Sequence, residues 1–266
     1  MLMGIMNLTP DSFSGDGLLA RGRGPSTYLR LARKLVRDGA DIIDVGGESS
    51  RPGSRQITVR EELRRVIPAL RLMAAKIKVP LSIDTYRSEV AEAALGEGAS
   101  MVNTIMGTRP DTRLLKAVRV HGAAIVLMHM RGRPHTMQNN PVYKDVVAEI
   151  IAGLRQGIEK CLEIGIKRNK IIIDPGIGFG KTVGQNFEIL RRLREFYRLP
   201  YPLLIGTSRK SFIGRVLGQE AGNRIIGTAA TVCVAVCNGA HLVRVHDVAA
   251  MRQAAAMSDA IIDKKT

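Results

Sequence analysis

Ile171-Ile172-Ile173-Asp174-Pro175-Gly176-Ile177-Gly178-Phe179-Gly180-Lys181 is the stretch on which the reading of this chain turns. A short β-branched run that stops at an acid and breaks into proline and glycines reads as a buried parallel strand delivering Asp174 to a pocket rim. The glycines let backbone approach a ligand closely. Alone, the stretch would also fit a strand ending in an Asx turn. Recurrence of the same grammar along the chain argues for the first reading.

Working outward, short apolar strands alternate with amphipathic helices. Strands are expected at Leu2–Asn7, Asp41–Val45, Pro80–Asp84, Ser100–Asn103, Ala124–Met128, Ile171–Asp174, Pro202–Gly206 and His241–Val245. Helices are expected at Ser26–Asp38, Glu89–Glu97, Thr112–His121, Asn186–Tyr197, from Lys210, Ile225–Cys237 and Val248–Ile262. Another places Val59, Leu63, Val66, Ile67, Leu70 and Ala74 on one face, with Pro68 inside it as an expected kink, and a further helix turns Val147, Ile150, Ile151, Leu154, Ile158 and Cys161 inward. Eight such units in 266 residues fit a single-domain TIM (β/α)8 barrel starting directly at the first strand. A doubly wound sheet is the alternative.

In a barrel the strand ends converge on one bowl. Asn7, Asp44, Asp84, Asn103, His129, Asp174, Ser208 to Lys210, and Arg244 to His246 all fall at or just past such ends. Acids and an amide from several strands suit a flat heterocycle with a donor-rich edge, since a carboxylate accepts two parallel N–H bonds in one plane. Each acid alone could instead cap the helix that follows it. Arg244 and His246 flank the last strand, the usual anion corner of a barrel.

Composition narrows the class. Aromatics are 4% of residues with no Trp, so the core must be aliphatic, as in a parallel sheet covered by helices. The net charge of +16 is spread over the expected outer helices and favours an anionic small molecule. No basic stripe is interleaved with stacking aromatics, which counts against nucleic acid. Three cysteines without an export signal fit a reducing, cytoplasmic setting. Met1–Leu8 lacks a basic leader, and the uncharged Ile225–Val243 is split by Asn238-Gly239 into helix and strand, so neither reads as a targeting or membrane segment.

At this point the chain resembles the dihydropteroate synthase family over nearly its whole length. The resemblance rests on Met3 to Ser14, Ile43 to Gly53, Ser82-Ile83-Asp84-Thr85, Leu127-Met128-His129-Met130, Asp174-Pro175-Gly176, Ser208-Arg209-Lys210-Ser211 and Arg244-Val245-His246-Asp247. It implies a transferase joining 4-aminobenzoate to 6-hydroxymethyl-7,8-dihydropterin diphosphate with the help of Mg2+. By matching position, Asp84, Asn103, Asp174 and Lys210 would hold the pterin with Asp44 beside them, and Met128 would line its slot. Asn7 would meet the metal, and Arg51, Arg244 and His246 the diphosphate. Ser50, Pro52, Phe179, Lys210 and Ser211 would border the aminobenzoate, and Asp11 would face the cationic pterin fragment. A non-catalytic pterin-binding paralogue and a pterin-dependent methyltransferase of similar barrel are the alternatives.

The family pattern is broken by Gly15-Asp16, where the second acid of the first loop shifts by one residue, by Ser50 for threonine, and by Thr104 for aspartate. A segment that commonly covers the barrel floor is missing, which predicts a less protected floor. Ile225–Cys237 is apolar almost all round and is expected to lie in a homodimer interface, as the family implies.

Overall fold

The computed structural model describes residues 1–9, 25–49, 56–132, 136–138 and 140–262. Of the candidate residues, Asp11, Ser50, Arg51 and Pro52 lie outside them, as does Gly15-Asp16. The first half of the described chain runs β1 (Leu2–Asn7), α1 (Pro25–Arg37), β2 (Ile42–Gly46), α2 (Val59–Ala74), β3 (Leu81–Asp84), α3 (Ser88–Gly96), β4 (Met101–Thr104) and α4 (Thr112–Val120). The second runs β5 (Ala124–Met128), α5 (Val146–Ile164), β6 (Ile171–Asp174), α6 (Val183–Arg191), β7 (Leu204–Ile205), α7 (Ser211–Leu217), α8 (Ile225–Cys237), β8 (Leu242–Val245) and α9 (Val248–Ile262).

All strand pairs are parallel, neighbours following β6-β5-β4-β3-β2-β1-β8-β7. The seam between β6 and β7 rests on one bridge, Ile173 to Leu203, where the Ile173 N–H donates to the Pro202 carbonyl at 2.9 Å. The result is a nearly closed TIM barrel.

Strand alternation sorts side chains between two cores. Outward residues such as Ile43, Val45, Ile83, Val102, Ile125, Leu127 and Ile173 join the helices in one large aliphatic core. Gly4 faces the same way, and a Cβ there would meet Val248 and Ala40 at 3.2 and 3.3 Å. Inside the barrel, Met3, Ile42, Met101, Val126, Leu204 and Leu242 form a separate cluster that fills the floor. These six are at most 7% exposed, so the expectation of a less protected floor does not hold. Inward-pointing strand side chains seal that end themselves. One layer higher the interior turns polar, and there the site begins.

Several boundaries move. The helix expected over Asn186–Tyr197 starts earlier, at Val183, because Thr182 and Gln185 form a reciprocal capping box. It ends at Arg191, and Leu193–Arg198 continues as a 3-10 turn. β7 keeps only Leu204–Ile205 of the expected Pro202–Gly206. On α2 the fully buried set is Glu62, Val66, Ala69, Leu70 and Met73, while Ala74 is exposed. The stripe is rotated because Glu62 turns inward to pair with Arg87. Pro68 is accommodated within a single continuous helix.

Gly157 brings α5 against the backbone after β4, since a Cβ there would lie 1.9 Å from the Gly107 carbonyl oxygen. Ala for Gly in a helix ordinarily stabilises by about 1 kcal/mol. Gly157→Ala should instead destabilise by about 1–3 kcal/mol in urea titration. Gly96→Ala, with nothing within 4 Å of the added carbon, should be neutral or stabilising and serves as control.

Candidate active site

Arg244 projects from β8 into the barrel and reaches across to two other strands. Its Nε donates to Asp44 Oδ2 at 2.6 Å and its Nη2 to Asp84 Oδ2 at 2.7 Å. Asn103 Nδ2 also donates to Asp44 Oδ2, at 3.0 Å. Burial opposes the charge on Arg244, but the carboxylates of Asp44 and Asp84 outweigh it and raise its pKa. Asp84 is pushed up to about 7 by burial, which Arg244 only partly offsets and which the charges of Asp44, Glu62 and Asp174 reinforce.

Asp44 does not take the rim position expected of it. It is the third residue of β2 with no exposed surface, and its carboxylate supports Arg244 and Asn103 from below the rim. Asp84, closing β3, is the partly accessible acid of the pair. Gly46 gives Asn7 and Asp84 room to flank the same spot, since a Cβ there would lie 3.6 Å from Asn7 Oδ1 and 3.8 Å from Asp84 Oδ2.

The opening stretch does both things its sequence permits. Asp174 closes β6 facing the interior, and its Oδ1 accepts from the Gly176 N–H at 2.7 Å. Burial raises the Asp174 pKa against the pull of Lys210. Lys210, at the N-cap of α7, donates to the Ile177 carbonyl and sits 4.6 Å from the Phe179 ring centroid. Burial, opposed by Asp174, brings its ammonium down to about 8. Above the polar layer, Ile105, Met128, Met130 and Met137 pack with Tyr86, Met106 and Phe179 into an apolar wall beside these groups.

On the far side Ser208 Oγ lies 3.0 Å from His246 Nδ1 and accepts from the His246 backbone N–H at 3.1 Å. Arg209 holds a left-handed backbone (φ 58°), fastened by bidentate bonds to Asp247 at 2.6 and 2.9 Å. Ser211, the first residue of α7, is exposed. Thr104, at the position where the family favours aspartate, is buried and caps its own turn by accepting from the Met106 N–H at 3.3 Å.

Two supports, Lys181 and Arg87, escaped the sequence reading. Lys181 is 2% exposed, and its Nζ donates to the carbonyls of Gly176 and Phe179, both at 2.9 Å, with His129 Nδ1 at 3.2 Å. It holds the glycine-rich loop in shape. His129 is thereby drawn under the loop and away from the bowl, and burial, with Lys181 and Arg131 adding to it, drops its pKa to about 2. Arg87 joins the carboxylates of Glu48 and Glu62 to the Ile57 carbonyl, fastening both ends of the β2–α2 connection. A glutamate at an inward position of α2 was the available signal for that cluster.

Carboxylates and an amide beside an apolar wall in a barrel mouth can meet the donor-rich edge of a flat heterocycle. The profile of the pterin binding enzyme family matches residues 3–246. Dihydropteroate synthase of Synechocystis is 45% identical over 98% of this chain and 89% of its own length. That of Bacillus subtilis is 40% identical over 99% and 89%. Among solved structures, Yersinia pestis dihydropteroate synthase in a sulfonamide drug complex superposes with a TM-score of 0.93 at 38% identity, covering 98% of this chain and 94% of that one. Xanthomonas albilineans dihydropteroate synthase with 4-aminobenzoic acid gives 0.89 at 40% identity, covering 98% and 93%. The chain belongs to the dihydropteroate synthase family.

Removing one partner of a buried ion pair strands the other charge. Asp44→Ala should therefore destabilise by about 3–5 kcal/mol in denaturant titration. Asp84→Ala, at a partly accessible carboxylate, should cost clearly less.

Proposed function

We propose that this chain condenses 6-hydroxymethyl-7,8-dihydropterin diphosphate with 4-aminobenzoate, giving 7,8-dihydropteroate and pyrophosphate. The observation that carries the reading is the joining, in one barrel mouth, of Asp84, Asn103 and Asp174 with the cations Arg244 and Lys210. The acids and amide meet the donor-rich edge of the pterin, and Met128 lines its slot. Arg244 and His246 meet the diphosphate, and Nη1 of Arg244 is the nitrogen that Asp44 and Asp84 leave unengaged. Phe179, Lys210 and Ser211 border the aminobenzoate, with Ser50 and Pro52 assigned there from sequence alone.

Cleaving the carbon–oxygen bond builds negative charge on the departing diphosphate, and cations fixed in a buried site stabilise that charge more than the ground state. The cationic pterin fragment is matched by ionised Asp84 and Asp174, with Asp11 added from sequence, while Arg51, also assigned from sequence, joins the cations on the diphosphate. The amine of 4-aminobenzoate is already nucleophilic and needs no strong base. Among the described residues no group of three His, Cys, Asp or Glu is arranged for a metal. Asn7 offers one neutral amide oxygen at the mouth, which fits Mg2+ held mainly by phosphate oxygens and water. When bound there, Mg2+ would neutralise charge on the leaving group.

Two further assignments belong to this reading. Three unpaired cysteines favour the cytoplasm, and no helix among the described residues is long and apolar enough to cross a membrane. A homodimer would cover the α8 face. α8 buries Thr228, Val232 and Ala235 but leaves Ile226 80% exposed, next to exposed apolar residues of α7 and α9. Light scattering at micromolar concentration should give the dimer mass, and Ile226→Glu should give monomer.

The activity is tested by following pyrophosphate release from the dihydropterin diphosphate with and without 4-aminobenzoate. Release that depends on the amine is expected; pterin binding without turnover would point to a non-catalytic paralogue. An acid raised to about 7 must lose its proton to accept two N–H bonds. Pterin affinity by calorimetry should therefore weaken as pH falls through about 7, approaching about tenfold per pH unit. Asp84→Asn should bind more weakly and remove that dependence.

A further inference from the structure

We propose that Ser208 is a positioning residue that holds His246 as the neutral tautomer protonated on Nε2. The argument rests on where one proton can go. Ser208 is 6% exposed, and its Oγ has two partners, the His246 backbone N–H at 3.1 Å and His246 Nδ1 at 3.0 Å. The backbone N–H can only donate, so it occupies a lone pair of Oγ. The hydroxyl proton then has one acceptor among the described residues, and that is Nδ1. Were Nδ1 itself protonated, Oγ would accept from it with its second lone pair and the buried hydroxyl proton would be left without an acceptor among the described residues, which disfavours that state by about tenfold or more. Nδ1 therefore accepts, and the ring proton sits on Nε2, the nitrogen on the far side of the ring.

The backbone around the pair is fixed independently. Arg209, next to Ser208, is bound through its guanidinium to Asp247, next to His246. Its N–H is also held, by Thr228 Oγ1 at 3.1 Å. The loops after β7 and β8 are thus locked together, and the Ser208–His246 bond forms between two immobilised segments.

The consequence rests on the synthase reading above. An imidazole of this tautomer meets the departing diphosphate as a hydrogen-bond donor without first being protonated, and no proton need be transferred when the carbon–oxygen bond breaks. A serine at this point prepares the ring in the free protein.

The test reads the tautomer directly. The whole protein, labelled with 15N in histidine, is examined by long-range 15N–1H correlation, His246 being assigned by loss of its signals in His246→Gln. The wild type should show the Nε2–H pattern. Ser208→Ala should shift toward a mixture, and Ser208→Thr, which keeps the hydroxyl, should restore it. With substrates, Ser208→Ala should lower kcat by about tenfold with little change in KM for 4-aminobenzoate, on the scale of one lost hydrogen-bond preorientation. An Nδ1–H pattern in the wild type, or a ratio unmoved by Ser208→Ala, overturns the proposal. A moved ratio with unchanged kcat overturns its catalytic consequence. Absence of turnover in the wild type would sink the synthase reading while leaving the tautomer result to stand or fall alone.

Discussion

A guanidinium buried inside a barrel is the constraint to which the rest of this structure answers. Arg244 cannot leave water unpaired, and Asp44 and Asp84 pair it from two strands on the other side of β1. Such a pair is weak evidence for stability, because desolvation of both ions offsets much of their attraction. What it fixes is geometry. β8 is tied to β2 and β3 through the interior, and Asn103 of β4 is drawn in through Asp44. The apolar floor below supplies the low dielectric that makes these contacts strong. The mouth above is left with acids whose proton affinities burial has raised, that of Asp84 to about 7.

Charge inside this barrel also fastens irregular backbone. The glycine-rich loop after β6 has Gly176, Gly178 and Gly180 at positive φ and few internal bonds to hold it. Lys181 gathers its carbonyls from beneath, while Lys210 reaches another from the side. The same device appears at Arg87, which grips a carbonyl and two carboxylates around the β2–α2 connection. A loop at a barrel mouth has no strand ladder to hold it, so its shape has to be specified by donors from outside the loop. Buried cations that donate to several oxygens meet that demand.

The strands were legible because a parallel strand covered on both faces leaves a run of β-branched residues with an abrupt end. Asp174 was found this way, as were Asp84 and Asn103. Asp44 was misplaced because periodicity tells which face a residue takes but not how deep it lies below the rim. Glu62 was missed because helical periodicity assigns an inward face to apolar residues, and only its partner Arg87 explains a buried carboxylate there. The start of α6 ahead of the expected Asn186 has a similar origin. Asn186 is buried within α6 to accept from the Gly178 N–H and donate to the Thr182 carbonyl, a tertiary use that its type does not announce. What sequence carries well is local patterning; what it hides are pairings between residues distant along the chain.

The two signs of charge in this molecule act at different ranges. Basic residues such as Arg60, Arg64, Arg71, Arg113 and Arg191 are exposed on the outer helices, so the net charge of +16 is largely a solvated shell. At physiological ionic strength its field decays over about 8 Å, enough to raise the encounter rate of an anionic substrate but too diffuse to choose among anions. The interior layer has the opposite composition, with Asp44, Asp84 and Asp174 against Arg244 and Lys210. A bare anion drawn to the surface would meet carboxylates at the bottom of the bowl. A ligand that carries negative charge at one end and a flat edge rich in donors at the other satisfies both regions at once. Selection therefore follows from the spacing of opposite charges within the barrel, and the surface only brings candidates to it.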